Sequence, residues 1–464
     1  MRILLIQPFK DPGLSGESYP PVGLGFLANS LRKSAHEVRI LDCLKDNLDF
    51  ESFEAFIKKE SPDLVGISLY SISIPFLPRM LDAIKRVKSD TVVVLGGPHV
   101  SSLPHGVLNS FEKVDYAIRG EGEIAIRKLA DTLEMKKKDF NGIPGLIYRD
   151  KGEVRVNEPY FPKNIEEYGI PAWDLLRPRE YFKYLGVGKD TVPVFFSRGC
   201  PFPCTFCAAK VTSGQRLRRR GLDHIFEELH LLQREHGIKK FVIEDEGFGV
   251  DKRFIMDFCD RVKKDNLKAI FAMGVGMRLD IVDEELLNKM KDSGFERTIV
   301  LGIESGSERI LGLMKKKTNL KMIRSKVDFM DKMGFNPCGY FILGYPSETR
   351  EEMEQTVQLA LKLKIREASF TAFQPLPNTE ATQALMETGE LPKDFDFAVV
   401  GQNAITYAPK GMSIEELAHI RKNAILRFYM RPRVLLSYFT SKHRFVYAFK
   451  KFSSVFLKKN VVRA

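Results

Sequence analysis

No stretch of this 464-residue chain approaches the roughly 20 apolar residues that a membrane-crossing helix needs. The opening MRILLIQPFKDPG meets proline and charge too early for a secretory signal, so the expected compartment is the cytoplasm. Cysteine is scarce: of six residues, Cys43, Cys259 and Cys338 stand singly within apolar elements. That pattern excludes a disulfide framework and predicts three small buried side chains. No short-period repeat or low-complexity segment is present, which excludes solenoid and linker-like classes. Acid is missing from one region. From Arg421 to Ala464 there are twelve Lys and Arg and no Asp or Glu, equal to the net charge of +12 for the whole chain. The remainder is neutral overall, so the basic character belongs to a tail, and no nucleic-acid partner is expected.

What is present reads as an ordinary globular chain, 44% apolar and 28% charged, long enough for two or three domains. To about residue 150, near-continuous apolar runs (RILLIQ, EVRILD, DLVGISLY, TVVVLGG) alternate with helical patterns such as GLGFLANSLRKSA. That predicts a parallel sheet covered on both faces, a doubly wound, flavodoxin-like α/β domain over 1–150. A connector over 151–190 carries a hairpin signal, IPGLIYRDKGEVRVNE. Six further strand–helix units begin near Val192 and predict a partial (β/α)6 barrel of the TIM type over 191–385, with its chemistry at the strand C-terminal ends. Residues 386–464 form the helical, basic C-terminal segment.

At the end of the barrel's first strand stands SRGCPFPCTFCAAK, in which Cys200, Cys204 and Cys207 are spaced C-x-x-x-C-x-x-C. In a reducing compartment such a cluster binds metal or is catalytic. Structural zinc closes a tetrahedron with four ligands, and neither a fourth cysteine nor a histidine lies close in sequence, although remote zinc ligands stay open as an alternative. Three thiolates on a four-iron cube leave one iron free for an exogenous ligand.

The motif, with Phe206 as the aromatic before the last cysteine, resembles that of the radical S-adenosylmethionine (SAM) enzymes, and the resemblance implies Phe206 as a SAM contact. The resemblance implies a [4Fe-4S] cluster on Cys200, Cys204 and Cys207 that binds SAM and cleaves it to a 5′-deoxyadenosyl radical. It extends along the barrel. FVIEDEGFGVD resembles the strand-two acids and implies Asp245 and Glu246 at the SAM ammonium. GVGMRLD implies Arg278 at the SAM carboxylate, and VLGIESGSERIL implies Glu304 and Ser305 near its ribose and methionine parts. FILGYPSETREE and FQPLPNTEA resemble the loops of strands five and six, with Asn378 where the family usually has Gly. The alternative for each acid or serine taken singly is a helix cap or turn, since the same residue types are favoured there.

The first domain, through PPVGLGFLANSLRKSAHEVRILD, DLVGISLYS, VVVLGGPHVSSLP and VDYAIRGEGE, resembles the cobalamin-binding domain of the B12-dependent members of that family. Ser68, Tyr70, Gly96, Gly97, Pro98, Gly120 and Glu121 fall at strand ends, where open α/β sheets bind ligands, and the resemblance implies that they meet cobalamin. The loop QPFKDPGLSGESYPP carries no D-x-H-x-x-G, so no histidine is supplied there to ligate cobalt from below. His99 lies on another loop and reads as a turn residue. A methylthiotransferase would bring a second cysteine triad in this domain, which contains only Cys43.

Together these imply an enzyme that uses a deoxyadenosyl radical and methylcobalamin to methylate an unactivated carbon of a small-molecule or lipid-like substrate. Family members that perform oxidative cyclisation or rearrangement with the same cofactors supply a second reading, and a non-catalytic cobalamin or redox sensor a third. An electron donor such as flavodoxin or ferredoxin is the implied partner. In the tail, cations interleave with apolar residues on either side of Pro432, so helices there would carry a basic face beside an apolar stripe. Two roles follow: a cap on the barrel, or peripheral contact with an anionic membrane surface.

Overall fold

In a computed structural model, which describes residues 1–10, 19–184, 190–401, 404–432 and 434–435, RILLIQ forms strand β1 (Arg2–Gln7), whose alternate residues serve two cores. Ile3 and Leu5 face Leu24, Ala28, Leu31, Ile126 and Leu129. Leu4 and Ile6 face Phe53, Ile57, Met80 and Ile84. A strand buried on both faces has no polar side, which is why the run is continuously apolar.

By its contacts the chain divides into two units, Met1–Pro201 with Ala208–Lys239, and Phe202–Cys207 with the chain from Lys240 onward. In the first, β1 pairs parallel with β2 (Glu37–Asp42) and with β3 (Leu64–Ser68). The parallel sheet continues through β4 (Val92–Gly96) and β5 (Tyr116–Ile118), and β6 (Leu146–Asp150) and β7 (Glu153–Val156) extend it antiparallel. The order β2-β1-β3-β4-β5-β6-β7 reverses direction between β1 and β3, the topological switch point of a flavodoxin-like sheet, beside which ligands bind. The connector hairpin expected from sequence is β6–β7. It is followed by β8 (Thr191–Val194) and by a two-residue antiparallel ribbon, β9 (Ser197–Arg198) with β10 (Arg218–Arg219).

The second unit contains β11 (Lys240–Ile243) parallel to β12 (Ile270–Met273), and β13 (Thr298–Glu304), β14 (Asn336–Leu343) and β15 (Glu367–Ala372) in a second parallel set. The Met277 N–H donates to Val300 O across the two sets at 2.9 Å. Phe241 and Phe271 face outward into a ring cluster with Phe248, Phe258 and Phe295, centroids 5.1 to 6.1 Å apart. Phe341 and Phe370 likewise meet the helix Ile414–Tyr429 through Phe428. The opposite parity, Val300, Gly302, Tyr340, Ile342, Ser369 and Thr371, faces the barrel interior and is half-buried or exposed, so that interior is open. Helices here start on side-chain caps: Asp251, Asp283, Ser307, Asn319, Ser413, and Thr349 in a capping box with Glu352.

Cys43, Cys259 and Cys338 are buried as expected, and burial pushes the Cys259 thiol up to about 11, which leaves it inert at neutral pH. The tail begins as a cap. The Tyr429 hydroxyl donates to Ala368 O at 2.8 Å, and Arg431 donates to the carbonyls of Leu361 and Ile365, both at 2.8 Å. The expected basic helices beyond Leu435 lie outside the described residues. Among those described, no helix is long and apolar enough to cross a membrane.

Candidate active site

The cysteine loop is shaped by backbone before any cofactor is considered. Gly199 takes φ +82°, and a Cβ there would run into the carbonyl oxygens of Ser213, Gly214 and Arg216. Only glycine allows the return segment so close, and it lets the Cys200 N–H donate to Gly214 O at 3.2 Å. Between the other two cysteines, Thr205 is buried and bonded on every side. Its N–H donates to Met314 O at 3.2 Å, its oxygen accepts from Ala381 N–H at 2.9 Å, and its hydroxyl is 2.7 Å from Tyr345 Oη. Phe206 packs against Ile310, Met314, Tyr345 and Phe373. The residue that matched the motif aromatic is therefore an anchor for the loop. The Cys207 N–H donates to Cys204 O at 3.2 Å, turning the chain so that both thiols stay accessible.

Among the described residues, no three His, Cys, Asp or Glu side chains converge as ligands of a single metal ion do. An iron–sulfur cube asks for something different, three thiolates each reaching a separate iron. The charge environment fits that requirement. Lys316 donates to Glu304 Oε1 at 2.6 Å. Burial alone would lower its pKa, but Glu304 and the cysteines Cys204 and Cys207 raise it, so an ammonium is held beside the two thiols. Glu304 sits at φ +65°, a strained conformation for a side-chain-bearing residue, at the end of β13.

The other barrel candidates divide. Asp245 is buried and Glu246 half-buried, just past β11. The Arg278 guanidinium stacks on the Phe202 ring of the cysteine loop at 3.8 Å. Its fork is engaged by Asp280, Nε to Oδ1 at 2.9 Å and Nη2 to Oδ2 at 2.7 Å. Ser305 is fully buried, accepting from Ser307 N–H at 3.1 Å and facing Thr356 Oγ1 at 3.3 Å. Its hydroxyl serves the turn, which is the capping alternative for that residue.

In the first unit, β3 and β4 end together. Gly97 has φ +94°, and a Cβ there would meet Leu69 N and O at 2.9 Å and Ser68 Oγ at 3.1 Å. Gly96 has nothing nearer to such an atom than Ile118 O at 3.8 Å, so its backbone is open to a bulky group. Tyr70 is exposed at the same edge and Pro98 opens the short helix Pro98–Ser102. His99 is buried with Nδ1 3.0 Å from Ser71 Oγ, a turn role as read from sequence. The Gly120 N–H donates to Ser101 Oγ at 3.0 Å.

Glu121 serves the fold. In the β9–β10 ribbon Arg198 stands directly opposite Arg218, a like-charge pair that repels unless compensated. Glu121 accepts from both Nη atoms of Arg218 at 2.7 Å, and from the Tyr168 hydroxyl at 2.7 Å. Glu123 accepts from Arg198 at 2.6 Å. Deeper, Glu228 accepts from Trp173 Nε1 at 2.8 Å and pairs with Arg220. Three acids and three arginines of the first unit thus neutralise one another. Sequence reasoning missed Arg198, Arg218, Thr205 and Lys316, since nothing but tertiary contact separates Lys316 from the solvated run KKK around it.

The B12 binding domain family matches residues 14–130, and the radical SAM superfamily matches residues 194–360. An uncharacterized methyltransferase of Pyrococcus horikoshii is 33% identical over 455 residues, covering 96% of each chain. An anaerobic magnesium-protoporphyrin IX monomethyl ester cyclase of Rubrivivax gelatinosus is 26% identical over 95% of this chain and 79% of its own. The radical SAM methyltransferase TsrM of Kitasatospora setae, solved with cobalamin and a [4Fe-4S] cluster bound, superposes with a TM-score of 0.74 at 18% identity, over 93% of this chain and 89% of that one.

Proposed function

The chain belongs to the cobalamin-binding branch of the radical SAM enzymes, and from that premise we propose that it methylates an unactivated carbon of a small-molecule substrate. The 33%-identical relative named as a methyltransferase, matched end to end, is the observation that carries this reading over cyclisation. Bound together, the cluster, SAM and cobalamin supply hydrogen abstraction by a deoxyadenosyl radical and a methyl group to replace the hydrogen.

The chain's own residues do the holding. Cys200, Cys204 and Cys207 donate the thiolates, with Lys316 balancing their charge and Thr205 and Phe206 fixing the loop. Asp245, Glu246 and Glu304 would hold SAM, and Arg278 would meet its carboxylate in place of Asp280. Ser68, Tyr70, Gly96, Gly97 and Pro98 would hold cobalamin, the open backbone at Gly96 giving it room. The domains follow the same division: 1–150 for cobalamin, 151–190 as connector, 191–385 as barrel and 386–464 as C-terminal segment. A small flavodoxin or ferredoxin in the cytoplasm delivers the electron.

The test is an anaerobic assay of reconstituted full-length protein with SAM, cobalamin, a reductant and a metabolite extract. A methylase forms both deoxyadenosine and S-adenosylhomocysteine and raises one metabolite by the mass of CH2. Deoxyadenosine alone would favour cyclisation, the second reading that the cyclase relative supports. Cys200→Ala, Cys204→Ala and Cys207→Ala each abolish deoxyadenosine formation, and Cys259→Ala retains it. Turnover by Cys204→Ala would overturn the cluster assignment.

A further inference from the structure

Just past β11, Glu244 falls on the parity of the barrel interior, one residue before the acids matched to the family motif. Its carboxylate lies against the Cα of Gly274, in the space a Cβ would need. Glycine therefore makes the room for it. Among the described residues Glu244 forms no ion pair or hydrogen bond, and burial pushes its pKa up to about 7. Across the interior, Tyr340 of β14 stands between Gly302 and Ser369, small partners that leave its ring free on both sides. Though in the middle of a parallel sheet it is 45% exposed, and its phenol also has no hydrogen-bond partner among the described residues. Burial and then the Cys338 thiol raise the Tyr340 phenol most, and the Glu244 and Glu367 carboxylates, which share the interior face, raise it further.

The surrounding charges decide what fits. Lys240 is taken by Glu296 at 2.6 Å and Lys316 by Glu304 at 2.6 Å. Glu367, on the interior face of β15, forms no ion pair among the described residues. The interior thus holds two carboxylates without a cation, among the apolar side chains Val242, Val300 and Ile342. A half-buried carboxylate without a partner is costly until a positive charge meets it. We propose that Glu244 and Tyr340 bind a protonated amine of the substrate, so that this enzyme acts on an amine carried by an apolar body. The inference rests on the methylase reading for the word substrate and on the geometry alone for the binding.

The experiment measures binding of n-butylammonium, with n-butyrate as its charge-reversed comparison, to anaerobically reconstituted full-length protein by saturation-transfer NMR. The amine is expected to bind and butyrate not to. Glu244→Gln weakens the amine at least tenfold and Tyr340→Phe a few-fold, with SAM affinity unchanged in both. Gly274→Ala, which displaces the carboxylate without removing it, reproduces the Glu244→Gln loss should that variant fold poorly. Equal amine affinity in wild type and Glu244→Gln, or butyrate binding as tightly as the amine, overturns the proposal. So does a matching fall in SAM affinity, which would place Glu244 in the SAM site. Amine binding through Glu244 with no methylated product would refute methylation and leave this assignment standing.

Discussion

The Lys316 ammonium and the Glu304 carboxylate meet at 2.6 Å beside the thiols of Cys204 and Cys207. Removing the cation leaves the Glu304 carboxylate without its partner beside the two cysteines. Lys316→Met is expected to lower stability by about 2–4 kcal/mol, the cost of leaving a largely buried acid unpaired. It should also lower the iron bound per chain after reconstitution. Lys316→Arg should retain most of both. Iron analysis and urea unfolding on the same samples check this, and full iron content in Lys316→Met would refute it.

The Arg220–Glu228 pair, nearly inaccessible to solvent, makes a similar prediction in the first unit. Arg220→Met alone should cost about 3–5 kcal/mol. Adding Glu228→Gln should recover at least half of it, since the orphaned charge is gone and the Trp173 N–H keeps an acceptor. Urea midpoints of the two variants decide.

Glu244 gives stability a pH slope of known sign. Its folded pKa, about 7, lies above the ordinary 4.5, so the folded state holds the proton longer than the unfolded chain. Stability is full below about 4.5 and falls as pH rises to about 7. Glu348, pushed up to about 8 by burial, adds to the same slope. Glu244→Gln should gain about 1–3 kcal/mol over wild type at pH 8 and little at pH 4. Urea unfolding at the two pH values shows whether the gain is confined to the upper one.

Cobalt should lack a nitrogen ligand from below. The strand-one loop contains no histidine, and His99 lies on another loop, its Nδ1 3.0 Å from Ser71 Oγ. The cobalt(II) EPR spectrum of loaded protein should therefore show no nitrogen superhyperfine splitting.

The two readings of the tail separate on truncation. Cutting at Pro409 would strip the helix Ile414–Tyr429 from β15, and a cut after Leu435 spares it. The protein cut after Leu435 should keep its melting temperature and lose salt-sensitive sedimentation with anionic vesicles, where each of the removed cations contributes about 1 kcal/mol near the surface. Equal sedimentation of both versions would leave the tail only its capping role.

Much of this architecture could be read from the chain because its signals are local. Period and apolar continuity give β1 to β5 and the barrel strands, and spacing gives the three cysteines. The site is less legible where partners are distant in sequence. Glu121 lies in a glycine-rich stretch that reads as cofactor contact, yet its charge answers Arg218. Arg278 reads as a carboxylate clamp, yet Asp280 reaches its fork first. Glu244 is hidden by the two acids after it, and strand parity alone separates them.

Thr205 ties the turn between Cys204 and Cys207 to the rest of its unit. Bonds from Met314, Tyr345 and Ala381 hold the backbone between Cys204 and Cys207 through protein atoms alone. Many small metal sites fold only when the ion arrives, and lose their shape with it. Here the turn between Cys204 and Cys207 is expected to keep its shape when oxygen strips the iron. Repair then requires redelivery of iron and sulfide, not refolding, so a cell that meets intermittent air could restore the enzyme without making it anew.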